Sequence, residues 1–353
     1  MRRKMCLLLP LLLCLMAAAA LGEGQVEIST PEQLQAIREA PDGSYVLMDN
    51  LDLDGILWEP FLFSGELDGN GYTIANLQVT QVGSERRETK DGNLKGYDTG
   101  FAGLFSVMER ATVKNLHLLG ARIEVREDEA CFAGILAGCM EHSTVDGCSV
   151  QGQVFLSCGA MDAGIGGLVG YGSGLFQENT ADVELIYEDR FREGRCEMFL
   201  GGVLGCGIGD FLDNSVTIDG YNSCFGYMHA GGLVGMYYEC GMDYPRGEVI
   251  RNSVKGRIIF FEDQPDARSY CKAMLGEALT KPLREYGNKD SFKRPKVWTS
   301  VKTLLPEECD VPDIQVRITE PGDTEWGYTE HTCLTCGYTY RDHWRMPGSS
   351  TAP

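Results

Sequence analysis

Proline is scarce at 13 of 353 residues, basic side chains number 31 against 51 acidic ones, and histidine occurs only five times. The first shortage excludes a proline-rich stalk. The second gives a net charge of −20, which repels phosphate backbones and leaves nucleic acid out as a partner. Beyond residue 22 no apolar run approaches the ~18–20 residues that a membrane span needs, so no transmembrane span is expected. Phosphate-loop and dinucleotide fingerprints are missing as well. Glycine, in contrast, contributes 44 residues, about one in eight against a usual ~7%. With 43% hydrophobic and 23% charged residues, the chain has enough apolar material for one large or two modest domains rich in turns.

Residues 1–22 read as an export signal: Arg2, Arg3 and Lys4, an apolar run from Cys6 through Leu15, then four alanines. Leu13 before Cys14 does not suit lipidation, so a chain secreted or held non-covalently at the cell surface is expected. Losing the signal leaves twelve of the 14 cysteines. Two readings of them stand: disulfides made in an oxidising exterior, or small buried apolar residues.

A glycine followed by two apolar residues and a small one recurs at Gly103, Gly134, Gly167, Gly202 and Gly232, with spacings of 31, 33, 35 and 30 residues. A second element follows each at Asn115, Gly147, Asn179, Asn214 and Asn252, at offsets of 12, 13, 12, 12 and 20. The last is stretched by an insert between Tyr237 and Gly247, and a divergent earlier copy spans Gly65 to Asn76. Short β-branched runs broken by glycine and asparagine suit strands better than amphipathic helices. A unit of this length cannot close a core alone, but stacked copies bury a continuous column. The expected fold is all-β, a parallel β-solenoid of about six repeats. Asn115, Asn179, Asn214 and Asn252 would share one corner, where asparagine tolerates left-handed backbone angles and its amide bonds along the stack. Ahead of the stack, Thr30-Pro31-Glu32-Gln33 starts a short capping helix ending near Ala40.

These elements, together with Asp52-Leu53-Asp54-Gly55, Trp58-Glu59-Pro60 and Leu67-Asp68-Gly69-Asn70-Gly71, resemble the GLUG repeat of large secreted Gram-positive bacterial proteins, including regions beside immunoglobulin-A protease domains. The likeness covers roughly residues 26–260 and implies a right-handed β-helix serving as a stalk or binding surface without enzymatic activity.

The expected organisation is a signal over 1–22, a cap with leading strands over 23–62, the solenoid over 63–262, a helical and basic capping or linker segment over 263–308, a small irregular cysteine-containing module over 309–345, and a disordered tail over 346–353. Tyr270, Met274, Leu275, Ala278 and Leu279 fall on one helical face before Pro282. Lys281, Arg284, Lys289, Lys293, Arg294, Lys296 and Lys302 outnumber Glu285 and Asp290, which reads as a solvated face or as a contact for teichoic acid or another polyanion. Further on, Cys333 and Cys336 resemble the Cys-x-x-Cys-Gly modules at the ends of secreted Gram-positive proteins. With His331 and His343 they form a candidate tetrahedral zinc set; a disulfide is the competing reading.

Glycan-cleaving β-helices make catalysis the alternative to test, and such sites need paired carboxylates. Asp52, Asp54 and Asp68 are the compact acidic candidates, read more simply as surface and turn residues. Asn50 to Phe61 mimics a calcium loop but has Asn50 at its first position and Phe61 rather than glutamate at its twelfth, and Gly170 to Gly174 has Tyr171 where a nucleophile elbow needs glycine. His117, His142 and His229 have no metalloprotease or triad neighbours. The expected function is a surface-associated binding or adhesion module that presents a long acidic flank to a cell-wall or host glycan or to a matrix protein. A glycan lyase or hydrolase and a structural spacer are the alternatives.

Overall fold

The computed structural model describes residues 24–88, 98–159, 162–189, 197–223, 227–239, 243–261, 269–293, 297–298, 314–323, 325–334, 339–345 and 347. Residues 1–23, which include the expected export signal, and the tail beyond 347 lie outside the described residues. The expected parallel β-solenoid is present. Each coil lays one strand on each of three sheets, of seven, thirteen and ten strands. One coil runs Asp162–Gly166, Val169–Gln177 and Thr180–Asp189, and the next repeats it as Glu197–Gly201, Leu204–Leu212 and Ser215–Ser223. Like residues stack on like. Val145, Phe176, Phe211 and Val249 form one inward row, and the Phe176 and Phe211 rings lie parallel with centroids 4.9 Å apart. A second apolar cluster, outside this column, joins Phe101, Phe132 and Phe199 of the seven-stranded sheet to Val107, Cys139, Tyr171, Cys206 and Met236 of the thirteen-stranded one. No helix among the described residues is long and apolar enough to cross a membrane.

The corners explain the repeat. A Cβ on Gly167 would sit 2.0 Å from the Gly202 carbonyl oxygen, one on Gly202 would sit 2.3 Å from that of Gly232, and one on Gly232 would sit 2.3 Å from that of Ala273. Backbone passes over backbone there with no room for a methyl group. At the other corner two jobs expected of one residue are split between neighbours. Asn115, Gly147, Glu178, Asp213, Arg251 and Gly287 hold the left-handed backbone angle, with φ between 51° and 72°. The following residue points inward, and from the third full coil onward it is Asn179, Asn214, Asn252 and Asn288. The Asn214 amide donates to the Phe176 carbonyl (2.9 Å) and to Asn252 Oδ1 (2.9 Å), while its own oxygen accepts from Asn179 N (3.1 Å) and Nδ2 (3.0 Å). Asn115 therefore belongs to the outer row, and Leu116 and Cys148 precede the asparagines in the inner one.

At the N-terminal end, the helix Pro31–Ala36 carries the expected capping box: Thr30 Oγ1 accepts from Gln33 N, and Gln33 Oε1 accepts from Thr30 N (3.1 Å). A 3₁₀ turn, Ile37–Glu39, follows, and buried Leu34 and Ile37 plug the column.

No helix occurs among the described residues of 269–286, where a helical face from Tyr270 to Leu279 is expected, and the solenoid does not stop at 262. Ser269–Lys272, Leu275–Ala278, Arg284–Tyr286 and Lys289–Lys293 are strands of a further coil. Ala273 stands where earlier coils have glycine, and no described backbone lies beyond it to collide with its methyl. Glu285 pairs with Val249 and Asp290 with Val254 in rows that are apolar in the coils before. Charge in the core register marks the last described coil, as suits a terminal repeat.

The C-terminal module is more regular than expected: Ile314–Thr319, Gly327–Cys333 and Thr339–Arg345 form an antiparallel three-stranded meander. Cys131, Cys139, Cys148, Cys158 and Cys206 are buried thiols, and Cys271 is a half-buried one. For these six the small-apolar reading fits, and burial pushes the Cys148 and Cys271 thiols up to about 12. Cys6, Cys14, Cys196, Cys224, Cys240, Cys309 and Cys336 lie outside the described residues.

Candidate functional site

The outer face of the ten-stranded sheet is the longest flank. In register along it run Arg122, Gln153, Glu184, Asp219 and Arg257, and beside them Glu124, Phe155, Ile186 and Tyr221. Both signs of charge are present, and two acids, Glu184 and Asp219, stand directly in register. Arg257 Nε bonds Asp219 at 2.8 Å and its Nη2 donates to Tyr221 Oη at 3.0 Å. Arg126 sits over the Phe155 ring at 4.7 Å and reaches Glu188 at 3.7 Å. The expected acidic flank is thus corrected to a mixed one, in which Arg126 and Arg257 reach acids on other coils and opposite charges facing each other contribute a little stability.

The thirteen-stranded sheet places Asp210 and Glu248 close on adjacent coils. The insert after Tyr237 returns over them. Tyr244 Oη donates to Asp210 Oδ2 (3.0 Å) and Glu248 N to Asp210 Oδ1 (2.8 Å), while Arg284 Nε donates to Glu248 (2.6 Å). Of the other sequence candidates, Asp68 accepts from Asn70 N (2.8 Å) and Asn115 Nδ2 (3.1 Å) and stands apart from Asp52 and Asp54. His117 contacts Ser149 Oγ at 2.7 Å, with burial lowering its pKa. His142 lies against the Tyr244 ring. His229 is buried with Nδ1 2.7 Å from Glu277, and burial brings its pKa down to about 4. Ser173 is fully buried.

A concavity lies where the meander docks on the first coils. Asn76 makes the joint: its Nδ2 donates to the Trp344 carbonyl (2.7 Å) and to Asp52 Oδ1 (2.8 Å), and its Oδ1 accepts from Trp344 N (3.1 Å). The indole lies against Gly120, where a Cβ would come within 2.1 Å of the ring, and φ there is +66°, an angle glycine adopts without strain. Tyr328 packs on the other side, with ring centroids 5.0 Å apart. Between the two bodies opens a cleft of about 440 Å3 lined by Asp52, Asp54, Thr329, His331, Trp344 and Arg345. Asp52 Oδ1 also accepts from Asp54 N (3.0 Å), so the pair forms a turn as the sequence suggested.

Of the zinc set, only His331 has a described side chain, and the fold turns it toward the aspartates. Cys333 ends the second strand of the meander and His343 lies in the third; their side chains, and all of Cys336, lie outside the described residues. Among the described residues no three His, Cys, Asp or Glu side chains gather in a metal-binding group. Sequence reasoning missed Asn76, Thr329, Trp344 and Arg345 altogether.

No family model matches the chain. Among curated proteins, it is similar to Halomucin of Haloquadratum walsbyi (strain DSM 16790 / HBSQ001), 35% identical over 109 residues, which is 31% of this chain and 1% of Halomucin. The chain therefore spans a very small part of that relative's length.

Proposed function

We propose that this protein is an exported, surface-associated binding or adhesion module built on a non-catalytic β-solenoid. The observation that carries the reading is the pairing of the flank carboxylates: Asp213 with Arg251 (2.6 Å), Asp219 with Arg257 (2.8 Å) and Glu248 with Arg284 (2.6 Å) each join adjacent coils. A glycan-cleaving site needs one carboxyl poised to give a proton and another to take one or to attack. Acids bonded to arginines have their oxygens occupied, and the Arg251 guanidinium lowers the Asp213 pKa. What remains is an extended, rigid surface, which suits recognition over a length of polymer or matrix. The resemblance to GLUG repeats supports a surface setting, and the Halomucin match places a similar stretch within a far longer chain.

The test is an array of cell-wall glycans, host glycans and matrix proteins probed with the chain lacking residues 1–22. Saturable retention on at least one class is the expected result. Release of products from a polysaccharide, dependent on metal or on an acid–base pair, would replace this reading with the enzymatic one; uniform lack of retention would leave a spacer.

A further inference from the structure

The cleft between the meander and the first coils combines features that the flanks lack. Trp344 is held at both main-chain polar groups by Asn76, at one ring edge by Gly120 and at another by Tyr328. A rigid indole wall costs little entropy on binding. Around it stand hydrogen-bonding groups of every kind: two carboxylates that only accept, an arginine that only donates, and a threonine hydroxyl and an imidazole that do either. Arg345 already donates Nη1 to Glu320 at 3.0 Å, which leaves further guanidinium donors. Trp344 is 8% exposed, so the ring offers the cleft a narrow apolar strip, while its Nε1 edge is buried against Gly120. At about 440 Å3 the volume falls in the ~300–1,000 Å3 range of small-ligand sites.

We propose that this cleft binds the terminal unit of a neutral oligosaccharide, a reading that rests on the binding-module function and narrows it to one place. A pyranose presents an apolar C–H surface to an indole, and vicinal hydroxyls that donate to carboxylates while accepting from arginine or threonine. Asp52 and Asp54 stand against an anionic sugar by charge repulsion, and the described groups give no three-ligand set for a bare cation. The two walls come from residues 52–54 and 329–345, so the site exists only with the meander seated.

The experiment uses the full mature chain on immobilised oligosaccharides ending in glucose, galactose, mannose or N-acetylglucosamine, with uronate- and sialate-ended sets alongside. The best binder is then titrated calorimetrically against wild type, Asp54→Asn, His331→Ala and the distant exposed variant Glu239→Gln. Retention of a neutral set, a tenfold or greater loss of affinity in Asp54→Asn and His331→Ala, and no change in Glu239→Gln are expected. Asp54 is exposed, so its variant should keep the wild-type melting profile. Unchanged affinity in both cleft variants places the ligand elsewhere and overturns the cleft while the binding function stands. Retention of acidic sets alone overturns the cleft as well. Retention of none, with no matrix protein bound either, overturns both.

Discussion

The coils from 162 to 223 and the terminal coil from 269 to 298 share one architecture but differ in what each position tolerates. In the middle, each inward side chain has neighbours above and below, and each corner glycine has a carbonyl oxygen where its Cβ would be. The terminal coil has neighbours on one side only among the described residues. Ala273 replaces glycine, Glu285 and Asp290 replace Val249 and Val254, and Asn288 is half-buried where Asn214 is buried. The repeat is thus a response to being stacked, and it relaxes where stacking ends.

Substitutions in matched pairs probe that difference. Phe211→Ala removes a ring from the middle of the inward stack and should cost about 3–5 kcal/mol, while Glu285→Ala in the same row should change stability by less than about 0.5 kcal/mol; urea denaturation checks both. Acid acts next to the terminal coil. His229 has a folded pKa of about 4 against ~6.5 unfolded, so the unfolded state binds the extra proton between those values. Its contribution is intact above ~6.5 and is lost as pH falls toward about 4, by up to ~3 kcal/mol. Hydrogen exchange at pH 7 and 4.5 should show the 269–278 strands opening before those of 197–223. His229→Phe, continuing the row of Phe101, Phe132 and Phe199, should remove the slope. Asn214→Ala strands the Phe176 carbonyl and Asn179 amide inside the wall, for about 2–3 kcal/mol; Asn288→Ala, which water can compensate, should cost about 1 kcal/mol or less. Gly202→Ala forces a methyl toward the Gly232 oxygen and should cost about 1–3 kcal/mol, whereas Ala273→Gly should lose about 1 kcal/mol or less. Equal effects within any pair would mean that the last coil is stacked on something.

Legibility followed the same divide. The middle coils were readable because stacking imposes glycine and asparagine at fixed intervals, and Gly167, Gly202 and Gly232 show why. Ala273 removed one of the two markers by which the last described coil could have been counted, leaving Asn288, 36 residues after Asn252, and Tyr270, Met274 and Leu275, which sit on strands, happen also to match a helical period. Asn115 misled because the left-handed residue and the inward amide are adjacent and both favour asparagine. The cleft was illegible for another reason. Asp52 was noticed, but its partners lie nearly the whole chain away, and nothing local in Asn76 or Trp344 signals that one binds the other.

Because each coil meets its neighbours through the same register, length in this molecule is set by counting. Duplicating a stretch such as 162–196 would lift everything above it by one strand spacing, about 4.8 Å, and leave the helical plug, the meander seat and the charged final coil chemically unaltered. The length of the column can then be adjusted in small steps by gene duplication, with no redesign of either extremity.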